Sequence, residues 1–160
     1  MLMRANSENR DDKLEQAIRH ASTVTSTLMA DVIDHACAHI STCDAAAKAR
    51  IHGLIGAGAC TDAALALIEL ALPGWQLRRL VHEDGEWICL LSSQWQLPDW
   101  LDDAVEARHE MLPLAIVAAL VETLRITPSA SRGSREIASQ QQVAGVWPAE
   151  HQLVSCDNFS

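Results

Sequence analysis

The sequence predicts an α+β protein in which N-terminal helices precede a helix, a β-hairpin and a second helix built around a small antiparallel sheet. Apolar residues recur at helical spacing between Asp11 and Ile40, and the apolar run AALALIELAL ends abruptly at Pro73-Gly74. Asp84-Gly85 then separates two β-rich runs, as in a two-residue hairpin turn. The chain of 160 residues is long enough for one ordinary domain and a tail.

The N-terminal part predicts helices with an interruption. Apolar residues separated by three, four or seven positions form one helical face, on which Thr25 occupies the one position that is not apolar. These apolar residues are Leu14, Ile18, Ala21, Leu28 and Val32. The run STVTST at Ser22–Thr27 favours a break, because hydroxyl and β-branched side chains disfavour helix interiors. Asp44 is placed to cap a further helix, AAAKARIHGLI, which ends in the GAGA stretch.

The middle of the chain predicts the sheet and its flanking helices. We expect Thr61 or Asp62 to cap the helix AALALIELAL. The run WICLLS after the hairpin turn is apolar on both faces, so it needs cover on both sides. The segment Leu97–Glu110 is expected to form a short solvated helix, because Pro98 suits a helix start and the acidic residues fall on one face. A last apolar helix follows, with Pro113 in its first turn and its end near Arg125.

These elements divide the chain into an N-terminal helical segment (residues 1–60), an α-β-β-α core (61–125) and a tail (126–160). The tail is rich in Ser and Gln and poor in apolar residues, so we expect it to be mostly disordered. Residues 61–125 hold eleven acids and four bases, a net charge of -7, whereas each outer part nets -1. The acidity therefore belongs to the predicted core.

Composition argues against several classes of partner. The chain has 12 Lys and Arg against 21 Asp and Glu, a net charge of -9, which disfavours binding to a nucleic-acid backbone. Five cysteines without C-x-x-C spacing, and an N-terminus without an apolar leader, favour a reducing, cytoplasmic location. The most apolar segments reach only about half of the roughly 20 residues that a membrane span needs, so no membrane partner is expected.

The stretch TDAALALIELALPGWQLRRL, the turn DGEW and, after an acidic spacer, EARHEMLPLAIVAALVE resemble a set of small uncharacterised proteins from root-nodule bacteria and their relatives. The order of a capped apolar helix, PGW, a hairpin and a PLAI-type helix is also similar to a phage-associated α/β sandwich domain. The resemblance implies a small cytoplasmic α+β module, with an origin in a mobile element or a symbiotic region. It supplies no catalytic residue.

His35, His39 and Cys43 are the candidate metal ligands. They recur every four residues, so they share one face if the helix continues to Cys43. Imidazole and thiolate at that spacing suit zinc or another transition metal, with His52 or Cys60 as a fourth ligand. The order matches no common zinc template, and the alternative interpretation is polar helix-face residues beside small core cysteines. The sequence therefore commits to no metal cofactor.

Two other groupings are candidates for catalysis. Glu106 and His109 form a Glu-x-x-His step, which on a helix presents a carboxylate and an imidazole to one metal ion or to one reacting group. His82 and Cys89 lie on the two arms of the hairpin and offer an imidazole and a thiol. An acidic run on a helix is usually a solvated face, so the sequence assigns no catalytic residue and keeps a small enzyme as an alternative.

Self-association is the leading functional hypothesis. Two apolar helices and a hairpin leave apolar surface uncovered, so we expect a homodimer or small oligomer that uses the hairpin edge and the helical residues Leu14 and Ile18. Trp95 and Trp100 are expected at the rim, because tryptophan is favoured at interaction surfaces. The sequence thus favours a non-catalytic protein-interaction module with an unknown protein partner, over a metal-binding protein and a small enzyme.

Overall fold

The computed structural model describes residues 2–40, 42–94, 96–98 and 104–127, with the side chains of the first helix from Arg10 onward. Those residues form five helices and one three-stranded antiparallel sheet: α1 (Leu2–Arg19), α2 (Ser26–His39), α3 (Ala45–Gly56), α4 (Cys60–Ala71), β1 (Gln76–Glu83), β2 (Glu86–Ser92), β3 (Val105–His109) and α5 (Leu112–Ile126). The predicted α+β class is confirmed. Trp95, Trp100 and all but the first two residues of the predicted tail lie outside the described residues.

The predicted interruption of the N-terminal helices is present between α1 and α2. Thr25 is the N-cap of α2, and its hydroxyl accepts a hydrogen bond from the Leu28 amide at 3.2 Å. Asp44 caps α3 in the same way, with its carboxylate 3.0 Å from the Ala46 amide nitrogen. The polar residues that disfavour a helix interior therefore occupy the positions where helices begin.

Helix α4 differs from the prediction at its start. Its N-cap is Ala59, without a side-chain cap, so the expected capping by Thr61 or Asp62 is wrong. Asp62 lies instead in the first turn, where a carboxylate still stabilises the positive end of the helix dipole. The helix ends before Pro73, and Gly74 takes a φ of 100°, a conformation that glycine adopts without steric cost.

The hairpin between β1 and β2 forms as predicted. Asp84 and Gly85 both have positive φ, 52° and 87°, as a two-residue turn of the primed type requires. The sheet has the order β1-β2-β3, so β2 is the central strand and is paired on both sides. Cys89 and Leu91 on one face of β2 and Ile88 on the other are buried, as the predicted cover on both sides requires.

The helix expected over Leu97–Glu110 is wrong, because Val105–His109 forms strand β3. Val105 and His109 are buried and Ala107 is partly buried, whereas Glu106 and Arg108 between them are exposed. This is the two-residue period of a strand with one covered face. The edge of β2 that does not pair with β1 forms backbone hydrogen bonds with this segment. This tertiary pairing outweighs the helical spacing of the acidic residues.

Helix α5 is the centre of the single core. It packs against β2, β3, α1, α2 and α4, and nine of its fifteen residues are buried. Leu14 and Ile18 of α1 belong to the same hydrophobic cluster as Leu114 and Leu120 of α5. The N-terminal helices therefore cover the predicted core directly. Within the described residues, each helix is too short or too polar to cross a membrane.

Truncating Leu120 tests the central place of α5. Leu120 is fully buried, so Leu120→Ala should lower the free energy of unfolding by about 2–5 kcal/mol through lost apolar contact and a cavity. Chemical denaturation measures this change. Ile126→Ala, at a residue of the same helix that is 54% exposed, is the matched control and should have little effect. Equal effects of the two substitutions would contradict the assignment.

Candidate functional site

Strand β3 is an edge strand of the sheet that the described residues form. In an antiparallel sheet, successive residues direct their N–H and C=O groups alternately to the two sides of the strand. The two-residue turn makes Glu83 and Glu86 a hydrogen-bonded pair, so the alternate residues of β2 beginning at Trp87 bond toward β3. Glu106 and Arg108 consequently direct their main-chain N–H and C=O groups away from β2. No backbone partner for these groups lies within the described residues.

The other edge of the sheet, β1, is less regular. Its pairing with β2 is interrupted by a β-bulge between Leu77 and Arg79. A bulge twists an edge strand and opposes further pairing, which is one way that proteins protect sheet edges. Strand β3 pairs with β2 in unbroken register from Val105 to His109. β1 pairs regularly only beyond the bulge, from Arg79 to Glu83, so β3 is the edge strand whose whole ladder is regular.

A groove of about 370 Å³ adjoins the β3 edge. Its walls come from α1 and α5, and Ala118 and Val121 of α5 provide apolar lining. The charged lining consists of three carboxylates and three guanidinium groups, from Glu15, Glu106, Glu122, Arg19, Arg108 and Arg125. The groove is thus locally neutral, although the chain as a whole carries a net charge of -9.

The charged groups of the groove are paired with one another. The Arg125 guanidinium lies 3.1 Å from a carboxylate oxygen of Glu15 and 3.6 Å from one of Glu122. Arg19 contacts the other oxygen of Glu15. On β3, the Arg108 guanidinium lies 2.8 Å from the Glu106 carboxylate, which raises the pKa of Arg108 above its ordinary value. Arg108 therefore stays charged at every physiological pH, and these exposed pairs add little stability.

His109 holds three elements together at one end of the groove. Its Nδ1 accepts a hydrogen bond from the amide of Met111, the N-cap of α5, at 2.9 Å. Its Nε2 therefore carries the proton and donates to the carbonyl of Ile18, in the last turn of α1, at 3.1 Å. Both ring nitrogens are occupied and the side chain is buried. His109 is a structural residue in this arrangement.

Glu106 and His109 do not form the expected acid–base or metal-ligand pair. The hypothesis required a helix, on which residues three apart share a face, but on strand β3 they point to opposite faces. The Glu106 carboxylate is exposed and bonded to Arg108, while the His109 ring is buried among α1, β3 and α5. The strand geometry removes the basis for that catalytic interpretation.

His82 and Cys89 are no better arranged for catalysis. Cys89 is completely buried on the face of β2 that meets the helices, and burial raises its pKa to about 12. Almost none of this thiol is ionised at neutral pH, and the thiolate is the nucleophilic form. His82 is an exposed residue whose ring lies against Trp87, the residue opposite it in the ladder.

The candidate metal ligands are only partly brought together. The rings of His35 and His39 lie 4.6 Å apart, but α2 ends at His39, so Cys43 does not continue their face. A disulfide pairs Cys43 with Cys37, and the His39 Nδ1 atom lies 3.0 Å from the carbonyl of His35. In the described part of the chain, no group of three or more His, Cys, Asp or Glu side chains is placed to hold a metal ion.

Of the predicted interface residues, Leu14 and Ile18 are described, whereas Trp95 and Trp100 lie outside the described residues. Leu14 and Ile18 are 8% and 2% exposed, so these apolar residues of α1 are buried in the chain's own core. The large apolar residues that are exposed among the described residues are Leu77, Leu97 and Ile126. Self-association through an apolar surface stays a prediction.

Sequence reasoning missed the β3 edge because it placed this segment on a helix. The alternation of apolar or buried side chains with charged ones in VEARH was the signal available. It competed with the spacing of acids that favoured a helix. Comparison with family models, with curated proteins and with solved structures finds no match to this chain. The resemblance to proteins of root-nodule bacteria stays a prediction.

Replacing His109 tests its structural role. His109→Phe keeps a ring of similar size but leaves the Met111 amide and the Ile18 carbonyl without their side-chain partner. We expect a loss of about 1–3 kcal/mol in the free energy of unfolding. His52→Phe, at an exposed position of α3, is the control and should change stability little. An undiminished stability of His109→Phe would contradict the role.

His35 should make the fold sensitive to acid. Burial against α1, together with the nearby His39, lowers its pKa below the ordinary 6.5, while Asp11 opposes and Arg10 assists this shift. The unfolded chain therefore takes up the proton first as the pH falls, so stability is complete above pH 6.5 and declines below it. Urea unfolding at pH 7.5 and 5.5 should show a smaller acid loss for His35→Gln than for the wild type. Equal losses of stability in the variant and the wild type would contradict this role of His35.

Proposed function

We propose that the chain is a non-catalytic protein-interaction module that binds an extended polypeptide strand along the edge of β3. The observation that carries the proposal is the outward direction of the main-chain groups of Glu106 and Arg108, beside a groove walled by α1 and α5. Such groups pair readily with a further strand, because each N–H and C=O gains a hydrogen-bond partner. The main chain then supplies affinity that depends little on the partner's sequence.

The surroundings of the edge support this use. β3 pairs with β2 in unbroken register, and no bulge interrupts its ladder, unlike that of β1. The apolar lining from Ala118 and Val121 offers contact to the alternate side chains of an added strand that point toward the helices. The enzymatic and metal-binding alternatives lack such support, because Glu106 and His109 face apart and Cys43 is paired with Cys37.

Composition bears on the partner and the location. A net charge of -9 makes a nucleic-acid partner unfavourable, so the proposed partner is a polypeptide. The cytoplasmic location stays a prediction from the cysteine pattern.

Selection from a random linear peptide library tests the proposal. The target is the full chain at a concentration where light scattering gives a monomer mass. Arg108→Pro removes the outward amide together with the guanidinium, but it leaves the β2 ladder intact, because this N–H does not take part in that ladder. Selected peptides should bind the wild type at least about tenfold more tightly than this variant, and should slow hydrogen exchange of the Glu106 and Arg108 amides.

His82→Pro is the matched control, since it places proline at an outward-facing position of the opposite edge, β1. Circular dichroism and thermal unfolding verify that both variants fold. Peptides that bind the wild type and Arg108→Pro equally, or a selection that yields no peptide dependent on this edge, would overturn the proposal. Loss of binding in both proline variants would also overturn it, because the effect would then not belong to β3.

A further inference from the structure

Resting on the proposed function, we infer that the strand received by β3 is β3 of a second copy of this chain. A two-fold axis passes beside Ala107 and joins the two sheets into one antiparallel sheet across the paired edges. The inference depends on two features of Glu106 and Arg108: the direction of their main-chain groups and the signs of their side-chain charges.

The alternating direction of the main-chain hydrogen-bonding groups along β3 permits this arrangement. Ala107 bonds toward β2, so two copies of Ala107 can face each other across the axis as a non-hydrogen-bonded pair. Glu106 of one copy then stands opposite Arg108 of the other, and both residues direct their N–H and C=O groups across the new ladder. Each such pair exchanges two main-chain hydrogen bonds, and the axis generates the second pair.

The side chains select the same register. With the axis at Ala107, each Glu106 carboxylate faces the Arg108 guanidinium of the other copy, and opposite charges at directly facing positions stabilise an antiparallel ladder. An axis at Arg108 would place that residue opposite itself and Glu106 opposite Glu110, so like charges would meet. An axis at His109 would use Glu110, which lies beyond the end of β3. In this antiparallel register, the charges of residues 106–108 therefore match those of the same residues in the second copy.

The balanced charge of the groove limits the repulsion expected between two negatively charged copies. Two copies that each carry a net charge of -9 repel at long range. The lining that would approach the second copy is balanced, with three carboxylates and three guanidinium groups. The excess negative charge lies elsewhere on the chain, so the close contacts are not between like charges. Self-association at this edge should consequently tighten at moderate salt, where long-range repulsion is screened.

Charge reversal tests the register. Sedimentation velocity of the full chain between about 1 μM and about 200 μM should show a reversible monomer–dimer equilibrium for the wild type. Glu106→Arg and Arg108→Glu each put like charges opposite one another and should weaken the dimer at least about tenfold. The double variant, carrying both reversals, restores opposite charges at both positions and should dimerise within about threefold of the wild type.

Arg79→Glu is the control for net charge. It makes the same change as Arg108→Glu at an exposed, ion-paired residue of β1 and should leave dimerisation within about threefold of the wild type. A wild type that stays monomeric throughout the concentration range would overturn the inference. A double variant as weak as the single ones would also overturn it, and so would an Arg79→Glu variant as weak as Arg108→Glu.

The two proposals fail separately. If the wild type is monomeric but selected peptides still require the outward amide of Arg108, the edge binds another polypeptide and only the second-copy inference is wrong. If the chain dimerises with no dependence on Glu106 and Arg108, a different surface joins the copies, and the inference is again wrong. If neither dimers nor peptides depend on this edge, the proposed function is wrong as well.

Discussion

The fold depends on the burial of α5 from almost every direction. Helices α1, α2 and α4 and strands β2 and β3 all pack on it, and its buried residues range from Leu114 to Leu124. The one polar side chain among them, Thr123, donates to the Ala119 carbonyl at 2.7 Å, so burial leaves no unsatisfied group there. A helix that is apolar over most of its surface needs several neighbours at once, which explains why the N-terminal helices pack on the same core as the sheet.

The packing of α5 also determines which edge of the sheet stays without a partner among the described residues. Helix α5 covers one face of β2 and β3, and His109 ties the end of β3 to α1 and to the start of α5. The strand is thereby held rigidly while its outer ladder has no partner in the described residues. A rigid strand loses little conformational freedom on pairing, so its hydrogen bonds can contribute to binding. The interaction proposed for this chain follows from the packing that stabilises it.

Local signals allowed much of the fold to be predicted. The caps at Thr25 and Asp44, the stop at Pro73-Gly74 and the turn at Asp84-Gly85 depend on residues close in sequence, so the sequence predicts them well. Strand β3 depends on a partner distant in sequence, and the helical spacing of nearby acids outweighed its short alternation. The burial of Leu14 and Ile18 in the chain's own core depends on contacts with α5, which is distant in sequence, so the helical spacing alone does not predict it.

Amide hydrogen exchange along β3, followed by NMR, tests the central claim most directly. In dilute protein, the amides of Ala107 and His109 should be protected by their bonds to β2, whereas those of Glu106 and Arg108 should exchange rapidly. At high concentration the latter two should become protected as well. Equal protection of all four amides in dilute protein would show that the edge is already covered and would contradict the account.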